Sequence, residues 1–147
     1  MSREIATEIA IRAPADRVWG ILTDFAVYPS WNPFVREVHG TPGPGERLRI
    51  VLARKGSSTM RFAPRVLVAR APEELRWLGR LWLPGLFDGE HQFTIVPDGT
   101  GGVRFVQRET FRGILVPLLW RSLDRETRAM FGRMNEALKA RAESLTS

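Results

Sequence analysis

The sequence predicts an α+β fold in which a curved antiparallel sheet of about seven strands wraps around one long C-terminal helix. Two patterns carry that expectation. Between residues 35 and 112, six segments read as strands, and short turn-forming stretches separate them. From Leu118 to Leu145 the apolar residues change to a helical period. No internal repeat or low-complexity linker interrupts the 147 residues, so one domain over 1–147 is expected. A chain of that size buries roughly 68 to 70% of its unfolded surface, enough for a real core.

Residues 3–12 (REIATEIAIR) alternate with Ile5, Ile9 and Ile11 on one side, as a half-buried strand does. Pro14 suits a first helical position, and APADRVWGILTDF carries Val18, Ile21 and Leu22 as an apolar stripe. Asp24 is placed to cap a second short turn through FAVYPSW, which Pro29 and Pro33 keep short. Strands are expected near 35–40, 46–54, 58–70, 73–82, 86–97 and 102–112, bounded by GTPGPGE, KGSS, RAPEE, LPG and PDGTGG. In the last helix Leu119, Leu123, Met130, Met134, Leu138 and Leu145 recur with Phe131 beside them. Arg121, Arg125, Arg128, Arg133, Lys139 and Arg141 lie mostly elsewhere. This helix is the only element long enough to cover the concave side of the sheet, and such an arrangement tends to leave a space between the two.

Composition excludes several functions. The absence of cysteine rules out disulfides, a thiolate nucleophile and cysteine-ligated zinc. The opening segment has no apolar h-region, and the longest apolar run, ILVPLLW at 114–120, is too short to span a bilayer, so a cytoplasmic protein is expected. The formal charge is +6 and the only lysines are Lys55 and Lys139. Arginines recur at alternate positions of the strands, which describes a solvated outer face. Most aromatics fall in register with Leu, Ile and Val instead, so a nucleic-acid partner is not expected. The glycine-rich GTPGPGE lacks a Lys-Ser/Thr pair and is a loop. His39 and His91 sit on separate strands with no carboxylate cluster joining them, so neither a metal nor a cofactor is expected. No Gly-x-Ser-x-Gly elbow occurs.

The stretch APADRVWGILTDFAVYPSWNPF, followed by LRWLGRL, FDGEHQF, FVQRETFRGIL and MNEALKARAE, resembles the START-like (SRPBCC) superfamily of helix-grip proteins. The similarity is to its polyketide cyclase/dehydrase and lipid-transport branch and runs over nearly the whole chain. The resemblance implies a deep cavity between sheet and long helix for an apolar ligand. It does not imply one activity, because family members include lipid carriers, metabolite binders, aromatase/cyclases and membrane-associated assembly factors. Three functions stay open. The first is binding of a hydrophobic or amphipathic small molecule, lipid-like or polyketide-like. The second is cofactor-free cyclase, aromatase or dehydratase chemistry, with His91 and Glu109 as proton-transfer groups. The third is docking to a membrane or a protein through the basic surface.

The apolar register supplies the expected cavity lining: Ile50, Leu52, Met60, Phe62, Trp77, Gly79, His91, Phe93, Phe105, Gln107, Glu109 and Phe111 from strands, with Met130, Met134 and Leu138 from the helix. Gly79, between Trp77 and Leu81, leaves a gap where a side chain would project. Trp31, beside two prolines, reads as a packed loop residue. In VRFVQRETF, the row of Val103, Phe105 and Phe111 also carries Gln107 and Glu109, which aims a glutamate at the core side. With the PDGTGG turn centred near 99–100, facing residues sum to about 198 or 200, and His91 faces Gln107 or Glu109. The LPG turn likewise sets Trp77 or Gly79 across from His91. Glu109 is therefore expected to point inward with His91 and Gln107 as partners. The alternative is a register slip that turns it outward to the arginines.

Overall fold

In the computed structural model, which describes residues 2–54, 56–81 and 83–144, strand β1 (Ser2–Ile11) buries Ile5 and Ile11 and half-buries Thr7 and Ile9. Lys55, Trp82 and Leu145, expected in a turn, a strand end and the last helix, lie outside the described residues. Helix α1 (Ala15–Thr23) follows, and its buried stripe is Val18, Ile21 and Leu22. Pro14 sits one position earlier than expected: it is the N-cap, and its carbonyl accepts from the N–H groups of Arg17 and Val18. Asp24 makes no side-chain cap. The 3-10 turn Phe25–Val27 and the short helix α2 (Tyr28–Trp31) are held instead by Tyr28, fully buried, whose hydroxyl donates to the Leu22 carbonyl at the end of α1. That carbonyl belongs to the last turn of a helix and has no helical partner. Burial, reinforced by the Asp24 charge, pushes the phenol pKa up, so Tyr28 stays a neutral donor.

Strands β2 (Val35–His39), β3 (Arg49–Ala53) and β4 (Thr59–Phe62) form a three-stranded antiparallel sheet. Strands β5 (Arg65–Arg70), β6 (Glu74–Leu81), β7 (Phe87–Pro97) and β8 (Val103–Arg112) join β1 in a five-stranded sheet of order β1-β8-β7-β6-β5. The single strand expected over 58–70 is thus two. Pro64 has no N–H to offer a ladder; its carbonyl accepts from Leu48 N–H at 2.8 Å, and beyond it the chain leaves one sheet for the other.

Helix α3 (Val116–Ser144) packs on β1, β8 and α1. Its buried residues are Val116, Phe131, Met134, Asn135, Leu138 and Ala142, so the apolar face expected from Leu119 onward covers the core only in its second half. Leu119 is exposed, and Leu123 and Met130 are half-buried. Val116 at the start of α3 is buried and Trp120 packs on Phe111 of β8, so the helix meets the core at both ends, while residues 117–130 between them include no buried one.

Arginines of the five-stranded sheet line its convex face, paired with carboxylates of the same or a neighbouring strand. Arg76 bridges Glu74 and Glu90, Arg104 reaches Glu8 at 3.3 Å and Arg108 reaches Glu4 at 3.6 Å. The Arg104 and Arg108 pairs are exposed and add little stability each, whereas Arg76 partners a buried Glu74. No helix among the described residues is long and apolar enough to cross a membrane.

Candidate functional site

The β7–β8 ladder pairs residues that sum to 200, which sets Glu109 directly opposite His91 and Gln107 opposite Phe93. The β6–β7 ladder sets Trp77 opposite His91, and β1–β8 sets Ile5 opposite Glu109 and Thr7 opposite Gln107. Glu109 therefore points to the concave side. Its side chain is 18% exposed, and its Oε1 lies 3.4 Å from Nδ1 of His91.

His91, Gln107 and Asn135 are 4%, 0% and 3% exposed, so their polar atoms need partners inside the protein. Two backbone carbonyls set the direction of the resulting chain, because a carbonyl can only accept. The Phe131 carbonyl lies 3.5 Å from Gln107 Nε2, and the Gln107 carbonyl lies 3.4 Å from Thr7 Oγ1. The amide nitrogen of Gln107 therefore faces the helix, and the Thr7 hydroxyl donates. Asn135 Nδ2 then donates to Thr7 Oγ1 at 3.0 Å, and Gln107 Nε2 donates to Asn135 Oδ1 at 2.8 Å. Gln107 Oε1 is left to accept from Nε2–H of His91 at 2.9 Å. With Nε2 protonated, Nδ1 turns a lone pair toward Glu109. Nδ1 is thus the ring nitrogen that faces the Glu109 carboxyl group, 3.4 Å away.

Two inward glycines shape the surroundings. Gly79 and Gly89 face each other across β6 and β7. A side chain at Gly89 would fall on Oε2 of Glu109, so this glycine makes the space in which the carboxyl group lies. A Cβ at Gly79 would lie 2.9 Å from ring atoms of Phe62. The gap expected at Gly79 is therefore filled, by a neighbouring ring of the same chain.

The expected lining divides into two groups. Ile50, Trp77, Phe93, Phe105, Phe111, Met134 and Leu138 are buried, 3% exposed or less, and Leu52, Met60, Phe62 and Met130 are half-buried. Around His91 the ring centroids of Phe93, Phe131 and Trp77 stand at 4.4, 5.0 and 5.6 Å. These rings pack against His91 at the inner end of the space between sheet and helix. Two surface depressions of about 300 Å³ lie elsewhere, one beside Trp31 and one between Arg47, Arg65 and Arg80, and neither includes an expected lining residue. Phe87, Gly89 and Glu109 are half-buried as well.

Thr7, Gly89 and Asn135 were not among the expected site residues. Thr7 occupies the inward row of β1 between Ile5 and Ile9, and Asn135 falls on the helix stripe four residues after Phe131 and three before Leu138. In both, a polar residue on an apolar register was the available signal. His39 is exposed and pairs with Glu37 at 3.2 Å, far from this group in the fold; among the described residues no three His, Asp or Glu side chains gather to hold a metal.

Residues 2–143 match the family described as polyketide cyclase/dehydrase and lipid transport. The chain belongs to that family. Solved structures of the helix-grip type resemble it over most of its length. The Zhui aromatase/cyclase from Streptomyces sp. R1128 superposes with a TM-score of 0.79 at 18% identity, over 97% of this chain and 94% of that one. A START superfamily protein from Mycobacterium smegmatis gives 0.75 at 21% identity, over 97% and 99%. The di-domain aromatase/cyclase StfQ from the steffimycin biosynthetic pathway gives 0.77 at 13% identity, over 98% of this chain and 51% of its own, so this family member spans about half of that protein. At these identities the likeness is one of fold. No curated protein sequence matches the chain.

Proposed function

We propose that this protein binds an amphipathic small molecule, apolar over most of its length with one hydrogen-bonding group, at a mouth between Phe62, Met130 and Glu109. The observation that carries the reading is the directed chain from Thr7 through Asn135, Gln107 and His91. Its interior members are closed to solvent, and it presents a partly exposed carboxyl group to an apolar rim. A buried polar chain of this kind orients whatever hydrogen-bonds to its open end. The apolar part of the ligand takes the place of the Phe62 ring over Gly79, since that ring, half-buried on β4, is what fills the gap.

Proton transfer of the cyclase or dehydratase type is the second function that the site supports. Because Gln107 occupies Nε2 of His91, Nδ1 and the facing Glu109 carboxyl group are the groups left to give a proton to, or take one from, a bound group.

Native mass spectrometry of purified protein, followed by denaturation and identification of the released molecule, tests the binding reading. A released amphipathic compound is the expected result, with less retained by Glu109→Gln for carriers of a polar head than for purely apolar probes. Native protein that retains nothing and binds no environment-sensitive apolar dye would sink it. Turnover of a cyclase-type substrate that collapses in both His91→Ala and Glu109→Gln while binding survives would assign catalysis.

A further inference from the structure

Most of the large apolar side chains that the fold leaves exposed lie together. Leu83, Ile114, Leu118 and Leu119 are 68%, 72%, 82% and 44% exposed, and the backbone joins the two segments that carry them. Ile114 N–H donates to the Gly85 carbonyl and Leu115 N–H to the Leu86 carbonyl, each at 3.1 Å, so the β6–β7 turn and the β8–α3 junction form one tip. Gly113, at φ +131°, permits the contact, since any side chain there would run into the backbone of Leu86. The tip continues inward through Trp120, whose ring lies 6.1 Å from Phe111, itself 5.8 Å from Phe87.

The two segments that form the tip, residues 80–87 (RLWLPGLF) and 112–123 (RGILVPLLWRSL), carry Arg80, Arg112 and Arg121 and no carboxylates of their own. Arg80 and Arg112 keep only loose partners, Asp88 at 3.8 Å and Glu90 at 3.9 Å, and both side chains are more than half exposed. Arg3 stacks on Trp120 at 5.2 Å.

We infer that this tip docks the protein on a lipid surface bearing anionic headgroups. Leu83, Ile114, Leu118 and Leu119 enter the boundary between headgroups and acyl chains, and Arg80, Arg112 and Arg121 meet the lipid phosphates. A second copy of the chain is a poor fit, because two such tips would bring their arginines together. Four aliphatic side chains on a protrusion also fall short of the roughly 800 Å² that each partner of a stable protein complex buries, whereas lipid insertion has no such threshold. The inference goes beyond the ligand-binding reading and holds whether or not a ligand is carried.

Co-sedimentation of the whole protein with vesicles tests it, using phosphatidylcholine alone and phosphatidylcholine with phosphatidylglycerol added. The expected result is partition onto the anionic vesicles that falls about tenfold or more in Ile114→Asp with Leu118→Asp, and falls similarly in direction with the milder Ile114→Ala and Leu118→Ala pair. Arg112→Gln and Arg121→Gln should each reduce it about fivefold and weaken its salt dependence. All of these positions are at the surface, so thermal melts should stay near wild type. Absence of partition would overturn the inference. So would binding indifferent to the apolar substitutions, which would leave only nonspecific charge, or equal binding to neutral vesicles. Self-association in sedimentation velocity that Leu118→Asp abolishes, without vesicle binding, would overturn it in favour of a second copy.

Discussion

Glu109 and His91 face each other across β7 and β8 with Oε1 and Nδ1 3.4 Å apart, while the other ring nitrogen of His91 is committed to Gln107 at 2.9 Å. The tautomer of His91 is therefore set from the side away from the ligand mouth. Nitrogen-15 NMR of the imidazole should show Nε2 protonated throughout the neutral pH range. Glu109→Gln should preserve that state, because an amide N–H can donate to the Nδ1 lone pair. A neutral ring protonated on Nδ1 alone would contradict the assigned direction of the whole chain.

The same chain predicts a non-additive stability pattern. Asn135→Leu removes the acceptor of Gln107 Nε2 in a site closed to water, leaving a buried donor unsatisfied, and should cost about 1 to 3 kcal/mol. Gln107→Leu should cost a similar amount because it strips His91 and Asn135 of partners at once. Once one member is gone the other has less to lose, so the double substitution should fall short of the sum by about 1 kcal/mol. Denaturant unfolding of the four proteins in the cycle measures this. Simple additivity would mean that the contacts act independently.

The far end of α3 gives a prediction about pH. The Arg12 backbone N–H donates to Glu143 Oε2 at 2.8 Å, and Lys139 Nζ, which also donates to the Ala10 carbonyl, reaches the same oxygen at 2.7 Å. The Arg12 N–H first, and the Lys139 hydrogen bond second, lower the Glu143 pKa from its ordinary value. A carboxylate whose folded pKa is depressed stabilises the protein above its unfolded pKa, about 4.3, and that contribution is lost as pH falls through the folded value. Glu143→Gln should therefore melt below wild type at neutral pH, and the two melting curves should converge as the pH drops below about 4. A difference that persists undiminished in acid would show that Glu143 acts by packing rather than by charge.

The fold was legible in the sequence where a periodic signal ran long enough to fix its own phase. Ile5, Ile9 and Ile11 marked β1, and turn chemistry placed β6, β7 and β8 closely enough that the His91–Glu109 facing was one of two registers allowed. The break at Pro64 was visible as a residue, but not as a change of sheet, because strand periodicity says nothing about which neighbour a strand will choose. The packing of Phe62 over Gly79 was hidden for a related reason. Alternation identified Phe62 and Gly79 as inward, yet whether the ring would line a cavity or fill the glycine's gap depends on β4 crossing over β6, a tertiary contact. Asn135 was legible and missed: on the stripe of Phe131, Met134 and Leu138 a polar residue needs a buried partner, and Gln107 is that partner.

The two facing glycines make the last prediction, since each makes room for a different group. Alanine at Gly89 must displace the Glu109 carboxyl group, a movable end of a side chain, so Gly89→Ala should fold with little loss of stability. It should nonetheless lose affinity for ligands with a polar head, much as Glu109→Gln does, because the carboxyl is pushed from its place beside His91. Alanine at Gly79 meets the ring of Phe62, and overpacking of this kind costs about 1 to 3 kcal/mol. Phe62→Leu should relieve that cost in the double variant by removing the ring. Phe62→Ala alone should open the space above Gly79 and raise the binding of an apolar dye, at about 3 kcal/mol or less of stability, because the ring is only half-buried. Thermal melts and dye titrations on these variants separate the two glycines. If Gly89→Ala left polar-headed ligands untouched, or Phe62→Ala bound less dye than wild type, the mouth would lie somewhere other than between Phe62 and Glu109.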